Sequence, residues 1–563
     1  MDTVFTVLIL LVAVAASGID LRVRALPFRV PLPLVQIGIG AVLSWPVLGL
    51  HVTFDPGLFM LLFVPPLLFA DGWRIPKREL FMHRHSVAML ALGLVFVTVI
   101  VVGFFTHALV PSMSLPIAFA LAAVLSPTDA VALTGIAGKR RIPAQHMHIL
   151  EGEALTNDAS GLVAFKFAVV AGITGVFSVR EAVLSFVVIA AGGIATGIAI
   201  SWLFSLLSAR VIDTSQTSDP APGVVMTVMI PFAAYLLAEH FGWSGVLAAV
   251  SAGMAMNFTN IAHATSAAAR VRAASTWSMI EFVFNGMVFI LLGLQLPHII
   301  GRALEEGHAE GHNQVGFLLA YVFAVLLVLY AVRFAWVWLL RSLTARRIAR
   351  HGVVNAAAGL RFAAIMTFSG VRGAVTLAGI LSLPLANAQG VAFPGRHIAI
   401  FIAAGVILMS TLIAVVALPL LLRGVARQGD PNAEEERRAR RIAARAAIEA
   451  IAHEHRRAKD EPGHAQLAQF EAVMARVVDM YERRLAVLDE PSPEPGPASR
   501  DESLELRLRI TAMQAQRRVF LDLHAMQKIN DATLNKLVQE VDLLETALIA
   551  RAGPRTRSQA QHS

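Results

Sequence analysis

Seven ionisable side chains lie within otherwise apolar stretches of the chain: Asp129, Glu153, Asp158, Lys166, Glu281, Arg333 and Arg372. Three short runs hold most of the chemistry. In ILEGEALTNDASGLVAFKFAV, Glu153 and Asn157 are four residues apart and share one helix face, with Asp158 about 100° round. In LAAVLSPTDAVALTGI, Pro127 removes a backbone donor and clashes with the preceding turn. A helix breaks or kinks there, leaving carbonyls free near Ser126 and the Thr128 and Asp129 side chains at the break. In IMTFSGVRGAVTLAGILSL, glycines flank Arg372, weaken the helix and let another backbone approach. Charged groups among apolar residues need a cavity or a partner, so their number makes an ion or proton pathway the default reading.

The elements that hold these residues are membrane spans. A helix needs about 20 apolar residues to cross roughly 30 Å of hydrocarbon. Thirteen stretches meet that description, at 3–19, 31–50, 56–71, 86–110, 115–137, 149–174, 182–208, 222–238, 243–258, 276–297, 314–340, 361–385 and 397–422. The eighth and ninth are close enough in sequence to merge, which would leave twelve. Asp2 precedes the first run without a Lys or Arg, the wrong flank for a cleaved signal, so that run is kept as a helix. Reading segments one to six and eight to thirteen as inverted halves puts the two interrupted helices, fifth and twelfth, at matching places. Such a pair marks the binding site of a secondary transporter. Arg372 requires an anion there. Glu153 is the expected partner, with Asp129 next, because Asp158 must stay free to titrate.

Composition separates the spans from a tail. Over 563 residues, 56% are hydrophobic and the mean hydropathy is +0.65, which excludes an ordinary soluble protein. Residues 427–563 hold 22 acidic and 22 basic side chains, so the net charge of +8 belongs to residues 1–426. With the N-terminus outside, 19 of the basic residues there fall on cytoplasmic connections, including Arg22, Arg24, Arg29, Lys139 to Arg141 and the group from Arg341 to Arg350; Arg180, Arg302 and Arg396 fall outside. That asymmetry orients the chain and leaves the tail cytoplasmic. The excess charge suits anionic lipid, and no nucleic-acid partner is expected. Without cysteine there is no disulfide framework, thiolate nucleophile or cysteine-bound metal. The tail has an Arg/Glu-rich helix, a break at PSPEPGP and a last helix with Leu534, Leu537, Val541, Leu544 and Leu548 on one stripe.

SPTDAVAL, GEALTNDASGLV and SGVRGAVTLA resemble, in spacing and order, the signatures of the monovalent cation/proton antiporters, the group that includes the sodium/proton exchangers. PPLLFADGW and FVFNGMVFILLGLQLP fit the same resemblance, and RRVFLDLHAMQKINDATLNKLVQEVDLLE is similar to the cytoplasmic end of the bacterial branch. The resemblance implies an all-α integral membrane protein, a plasma-membrane homodimer serving pH and sodium homeostasis, with no organic cofactor. It implies that Asp158 binds Na+ or a proton, with Asn157 its neutral neighbour and Thr128 and Asp129 at an unwound crossing. Glu153 and Arg372 would form a structural ion pair. The chain departs from the pattern at Ala70–Asp71, where many relatives have a glutamate, and at Ala154, where many have serine; Asp71 is thus an accessory candidate.

One carboxylate serving two cations gives the mechanism. Away from water, a carboxylate needs either a proton or a cation as partner, so the two compete for Asp158. Because position 157 is an amide, one proton per cation is expected, and the exchange is electroneutral. K+/H+ exchange by the same mechanism, and Li+ as cargo, are alternatives. A channel would show conductance. An intramembrane aspartyl protease built on Asp129 and Asp158 lacks a Tyr-Asp or Gly-x-Gly-Asp sequence at either residue. Bland readings cover the remaining groups: Lys166 as a snorkelling or structural cation, Glu151 as an interfacial acid, Arg333 and Glu281 as structural groups or a pair, and His308, Glu310 and His312 as a solvated loop.

Overall fold

The computed structural model describes residues 3–18, 31–44, 56–75, 77–82, 84–129, 133, 144–174, 179–214, 221–258, 267–309, 315–348, 356–384, 393–423, 431–460, 467–489, 497–526, 528 and 531–551. Every regular element among them is a helix, as the apolar runs and the lack of period-2 patterning require. The chain divides into two units, Met1–Arg427 and Gln428–Ser563.

In the first unit the helices are α1 (Thr3–Ser17), α2 (Leu32–Leu43), α3 (Pro56–Arg74), α4 (Lys77–Met82), α5 (Arg84–Leu109), α6 (Leu115–Leu125), α7 (Ala144–Thr174), α8 (Val179–Thr214), α9 (Ala221–His240), α10 (Gly245–Phe258), α11 (Ala267–Ala309), α12 (Val315–Ile348), α13 (Ala356–Phe368), α14 (Ala374–Leu381) and α15 (Arg396–Leu421). Eight of the described helices, α3, α5, α7, α8, α9, α11, α12 and α15, are long and apolar enough to span a membrane; α2, α6, α10 and part of α13 are apolar but shorter. The eighth and ninth stretches are separate helices, α9 and α10, joined by a turn in which Gly242 takes φ 72°. Phe96, Phe104, Trp202, Phe323 and Leu327 are exposed. A helix surface of this kind suits lipid tails, not water.

Packing inside this unit falls into groups. Helices α3, α8, α9 and α10 pack closely on one another, while α5, α6 and α7 pack in series and join α12 to α15. The long α11 carries α1 and α2 and touches both groups. Trp277 of α11 is fully buried, stacked on Phe69 at 5.0 Å and edge-on to Trp73 at 6.0 Å between ring centres. The last helix is capped from both sides. Glu306 accepts the Gly395, His397 and Ile398 amides at 2.8–3.1 Å, and Arg361 donates to Leu421 O at 2.6 and 2.8 Å. A carboxylate at the helix start and a guanidinium at its end match the macrodipole.

The second unit holds α16 (Pro431–Asp460), α17 (Leu467–Asp489), α18 (Pro497–Ala525) and α19 (Asp531–Arg551). α16 packs on α17 and α18 on α19. On the expected stripe of α19, Val541 is buried and Leu534, Leu537 and Leu548 are half-buried, but Leu544 is exposed. Arg517 of α18 fastens the second pair by donating to Asp542 and Glu545.

Candidate functional site

Both interrupted helices are present. α6 stops at Leu125, and Ser126 to Asp129 run on without helical structure because Pro127 supplies no amide for the ladder. α13 stops at Phe368 and α14 begins at Ala374, leaving Ser369 to Gly373 largely open. The two breaks meet, since the Asp129 amide donates to Val371 O at 2.8 Å. Two glycines make the approach possible. A Cβ on Gly373 would stand 1.9 Å from Asp129 Oδ2, and one on Gly161 of α7 would stand 2.5 Å from Pro127 Cγ. Only hydrogen fits at either point, so α7 lies directly against the first break and the Asp129 carboxylate against the second.

Each interrupted helix ends on an arginine. Arg372 Nε donates to Leu125 O at 2.8 Å, its Nη1 donates to Gly370 O, and its amide reaches Ser410 Oγ at 3.3 Å. Arg333 Nε donates to Met366 O at 2.9 Å, in the last turn of α13. The carbonyls at a helix C-terminus are unsatisfied and carry partial negative charge, so a cation is favourable there. Two guanidiniums at 2% exposure also need an anion, and it sits on Arg333: both nitrogens of its fork donate to Glu153, Nη2 to Oε2 at 2.9 Å. The expected Glu153–Arg372 pair is therefore corrected to Glu153–Arg333. Arg372 is satisfied instead by the carbonyls of the break, acceptors that side-chain pairing rules do not count.

On the same α7 turn, Asn157 is 1% exposed and its Nδ2 donates to Thr128 Oγ1 at 3.0 Å, which orients the amide. Its Oδ1 is buried with no hydrogen-bond partner. A buried carbonyl oxygen left open in this way is a position for a cation or a water. Ser160, one turn on, donates to Ala91 O at 2.7 Å, inside the π-helical turn Met89–Leu94 of α5. This fixes the rotation of α7 through backbone that the wider turn releases.

A cavity opens on this crossing. Its walls include Asp158 from α7, Thr128 and Asp129 from the first break, and Gly373 and Thr376 from the second; Asp71 of α3 and Glu281 and Asn285 of α11 face them. The structure thus gathers Asp158, Asp129, Thr128 and Asp71 around one space and sets Asn157 behind Thr128. Sequence reasoning missed Glu281 and Asn285 as wall residues. Glu281 pairs with Arg74 of α3 and Lys166 with Glu239 at 2.6 Å, so the reading of Lys166 as a structural cation has a named partner and an Arg333–Glu281 pair does not form. Glu151 lies 3.9 Å from His148 Nδ1 and is partly exposed. Of the His308, Glu310 and His312 set, the last two lie outside the described residues, as do Arg22, Arg24, Arg29 and Lys139 to Arg141. Among the described residues no group of three or more His, Cys, Asp or Glu could hold a metal ion.

The cavity is lined by the carboxyl groups of Asp71, Asp129, Asp158 and Glu281 and the hydroxyls of Thr128 and Thr376, oxygen groups of the type hard cations prefer, although no three of these carboxylates form a group that could hold a metal ion. The family described as "Sodium/hydrogen exchanger, transmembrane" matches residues 7–424. The chain is 44% identical to an uncharacterized Na(+)/H(+) exchanger, YjcE, of Escherichia coli (strain K12), over 98% of this chain and 99% of the relative. It is also 44% identical to a sodium, potassium, lithium and rubidium/H(+) antiporter of Bacillus pumilus, over 75% of this chain and 61% of the longer relative. Its fold is similar to that of the sodium proton antiporter MjNhaP1 from Methanocaldococcus jannaschii at pH 8, with a TM-score of 0.55, 17% identity, and coverage of 74% of this chain and 100% of the other.

Proposed function

Because this chain belongs to the sodium/hydrogen exchanger family, a group of membrane cation/proton antiporters, we propose that it exchanges Na+ for H+ at Asp158, one for one. The observation that carries the reading is the buried, partnerless Asn157 Oδ1 beside a cavity lined by Asp158, Asp129 and Thr128. Na+ is the substrate, and Asp158 is its anionic ligand. Thr128, Asp129 and the Asn157 oxygen supply the polar surroundings, and Asp71 is an accessory carboxylate on the facing wall.

The steps follow from charge. With neither proton nor cation, Asp158 is an unpaired anion at a helix crossing, and moving it across the hydrocarbon is costly. Binding either cation removes that charge, so only the loaded site changes sides and the two gradients are coupled. Asn157 holds no titratable proton, which supports one proton per cation and no net charge moved. The Glu153–Arg333 pair and the two capped breaks keep the crossing in shape and take no part in proton transfer. Transport, not a chemical transformation, is the activity the family carries.

K+ is the second reading, supported by the Bacillus relative whose name includes potassium and lithium. The surplus of Lys and Arg on alternate connections supports an outside N-terminus and a cytoplasmic tail in the plasma membrane. Family resemblance supports a homodimer and a part in pH and sodium homeostasis. The test is proton movement in sealed vesicles on addition of Na+, K+ or Li+ in turn. Na+ should elicit the largest response, and silence to all three would overturn the proposal.

A further inference from the structure

A second cavity lies on the same three helices as the first, displaced along each of them. α3 contributes Leu67, Leu68 and Asp71 to the first cavity but Gly57 and Met60 to the second. α7 contributes Asp158 to the first and Leu162, Phe165 and Lys166 to the second; α14 contributes Thr376 to the first, and Ser382 just beyond it lines the second. Along α3 the two linings are about ten residues, or roughly 15 Å, apart, and along α7 the second lies one to two turns beyond Asp158, so the second cavity stands to one side of the first, which Asp158 itself lines. Between them runs a seam. α7 packs heavily on α6 but only thinly on α3, α8 and α10, of which α3 and α8 each pack closely on α10.

Lys166 and Glu239 cross that seam at the second cavity. Lys166 Nζ meets Glu239 Oε1 at 2.6 Å, and the same oxygen accepts the Gly245 amide at 3.0 Å, which fixes Glu239 to the start of α10. The pair therefore ties the helix that carries Asp158 to the α8–α10 group. Resting on the exchange proposed above, we infer that Lys166 and Glu239 are positioning residues forming a releasable lock: their ion pair holds the second cavity closed toward Asp158 while the first is open. In each transport cycle the pair must part so that Asp158 can be reached through the second cavity. The setting suits a latch, because both side chains are partly exposed, at 40% and 33%, and water can receive them on release. A half-exposed pair is weak, so its loss should shift the population between the two states by up to about fivefold.

The chain has no cysteine, which makes the test clean. Lys166→Cys and Glu239→Cys are introduced together and joined by a cleavable bifunctional thiol reagent in proteoliposomes. Exchange should fall below a tenth of the unlinked rate and return on cleavage. A tether inside one group, Ile194→Cys with Ser251→Cys, should leave it unchanged. Separately, a Leu162→Cys thiol at the second cavity should react with a membrane-impermeant maleimide up to about fivefold faster when Lys166→Gln is added. The exchanged pair Lys166→Glu with Glu239→Lys should return it to the slow rate. Exchange by the linked protein at the unlinked rate, or labelling indifferent to Lys166→Gln, would overturn the lock. Absence of exchange before linking would instead refute the transport reading, and the labelling result would still decide the lock.

Discussion

Breaking the Glu153–Arg333 contact offers a quantitative view of what holds the crossing together. The pair is bidentate, with side-chain exposures of 1% and 3%, and neither partner can turn to water. Glu153→Gln leaves the Arg333 fork facing an amide that offers one acceptor, and Arg333→Gln leaves a buried carboxylate with no cation. Removing one member of such a pair typically costs about 3–5 kcal/mol, while removing both costs far less. Each single change should therefore lower unfolding stability in detergent by about 3–5 kcal/mol, and the double change should recover about 2 kcal/mol or more. Arg372 is the internal control. Its guanidinium is held by Leu125 O and Gly370 O and feels Glu153 only through space, so Glu153→Gln with Arg372→Gln should show clearly weaker coupling than Glu153→Gln with Arg333→Gln. The assay is denaturant or thermal unfolding of purified protein followed through its seven tryptophans. Strong coupling of Glu153 to Arg372, with additivity toward Arg333, would refute the assignment.

Three further outcomes follow. Gly373→Ala sets a methyl 1.9 Å from Asp129 Oδ2 and should cost about 1–3 kcal/mol with loss of exchange, whereas Gly223→Ala, with open space around it, should be silent in both stability and transport assays. If proton and cation compete for one carboxylate, lowering pH below its titration range should raise the apparent KM for Na+ about tenfold per pH unit at unchanged maximal rate. A falling maximal rate at constant KM would place the proton elsewhere. Electroneutral exchange should ignore membrane potential, since one net charge per cycle would shift the equilibrium by about fiftyfold per 100 mV; valinomycin-set potentials across K+-loaded vesicles measure this.

Much of the site was legible in the sequence because its signals are local. Pro127 and the glycines around Arg372 weaken helices wherever they fall, and the spacing of Glu153, Asn157 and Asp158 is a property of one helix. The partners of the arginines were not legible. Arg333 is one of four arginines in a 34-residue helix and the one set within its apolar stretch, and nothing local distinguishes Glu153, Glu281 or a carbonyl as its counter-charge. Arg372 was misassigned because broken-helix carbonyls are acceptors without a residue type. Glu281 and Asn285 enter the cavity wall only through the packing of α11 on α3 and α14, a contact among elements distant in the chain. The Lys166–Glu239 link joins residues 73 apart for the same reason.

The central claim is that one carboxylate carries both cations. The most direct measurement is Na+-driven proton movement in proteoliposomes containing the Asp158→Asn protein, beside wild type reconstituted at equal density and eluting as the same folded species. Asparagine keeps the shape and cavity but holds neither a titratable proton nor a charge, so the account predicts exchange indistinguishable from empty vesicles. Wild-type-like exchange by Asp158→Asn would contradict it.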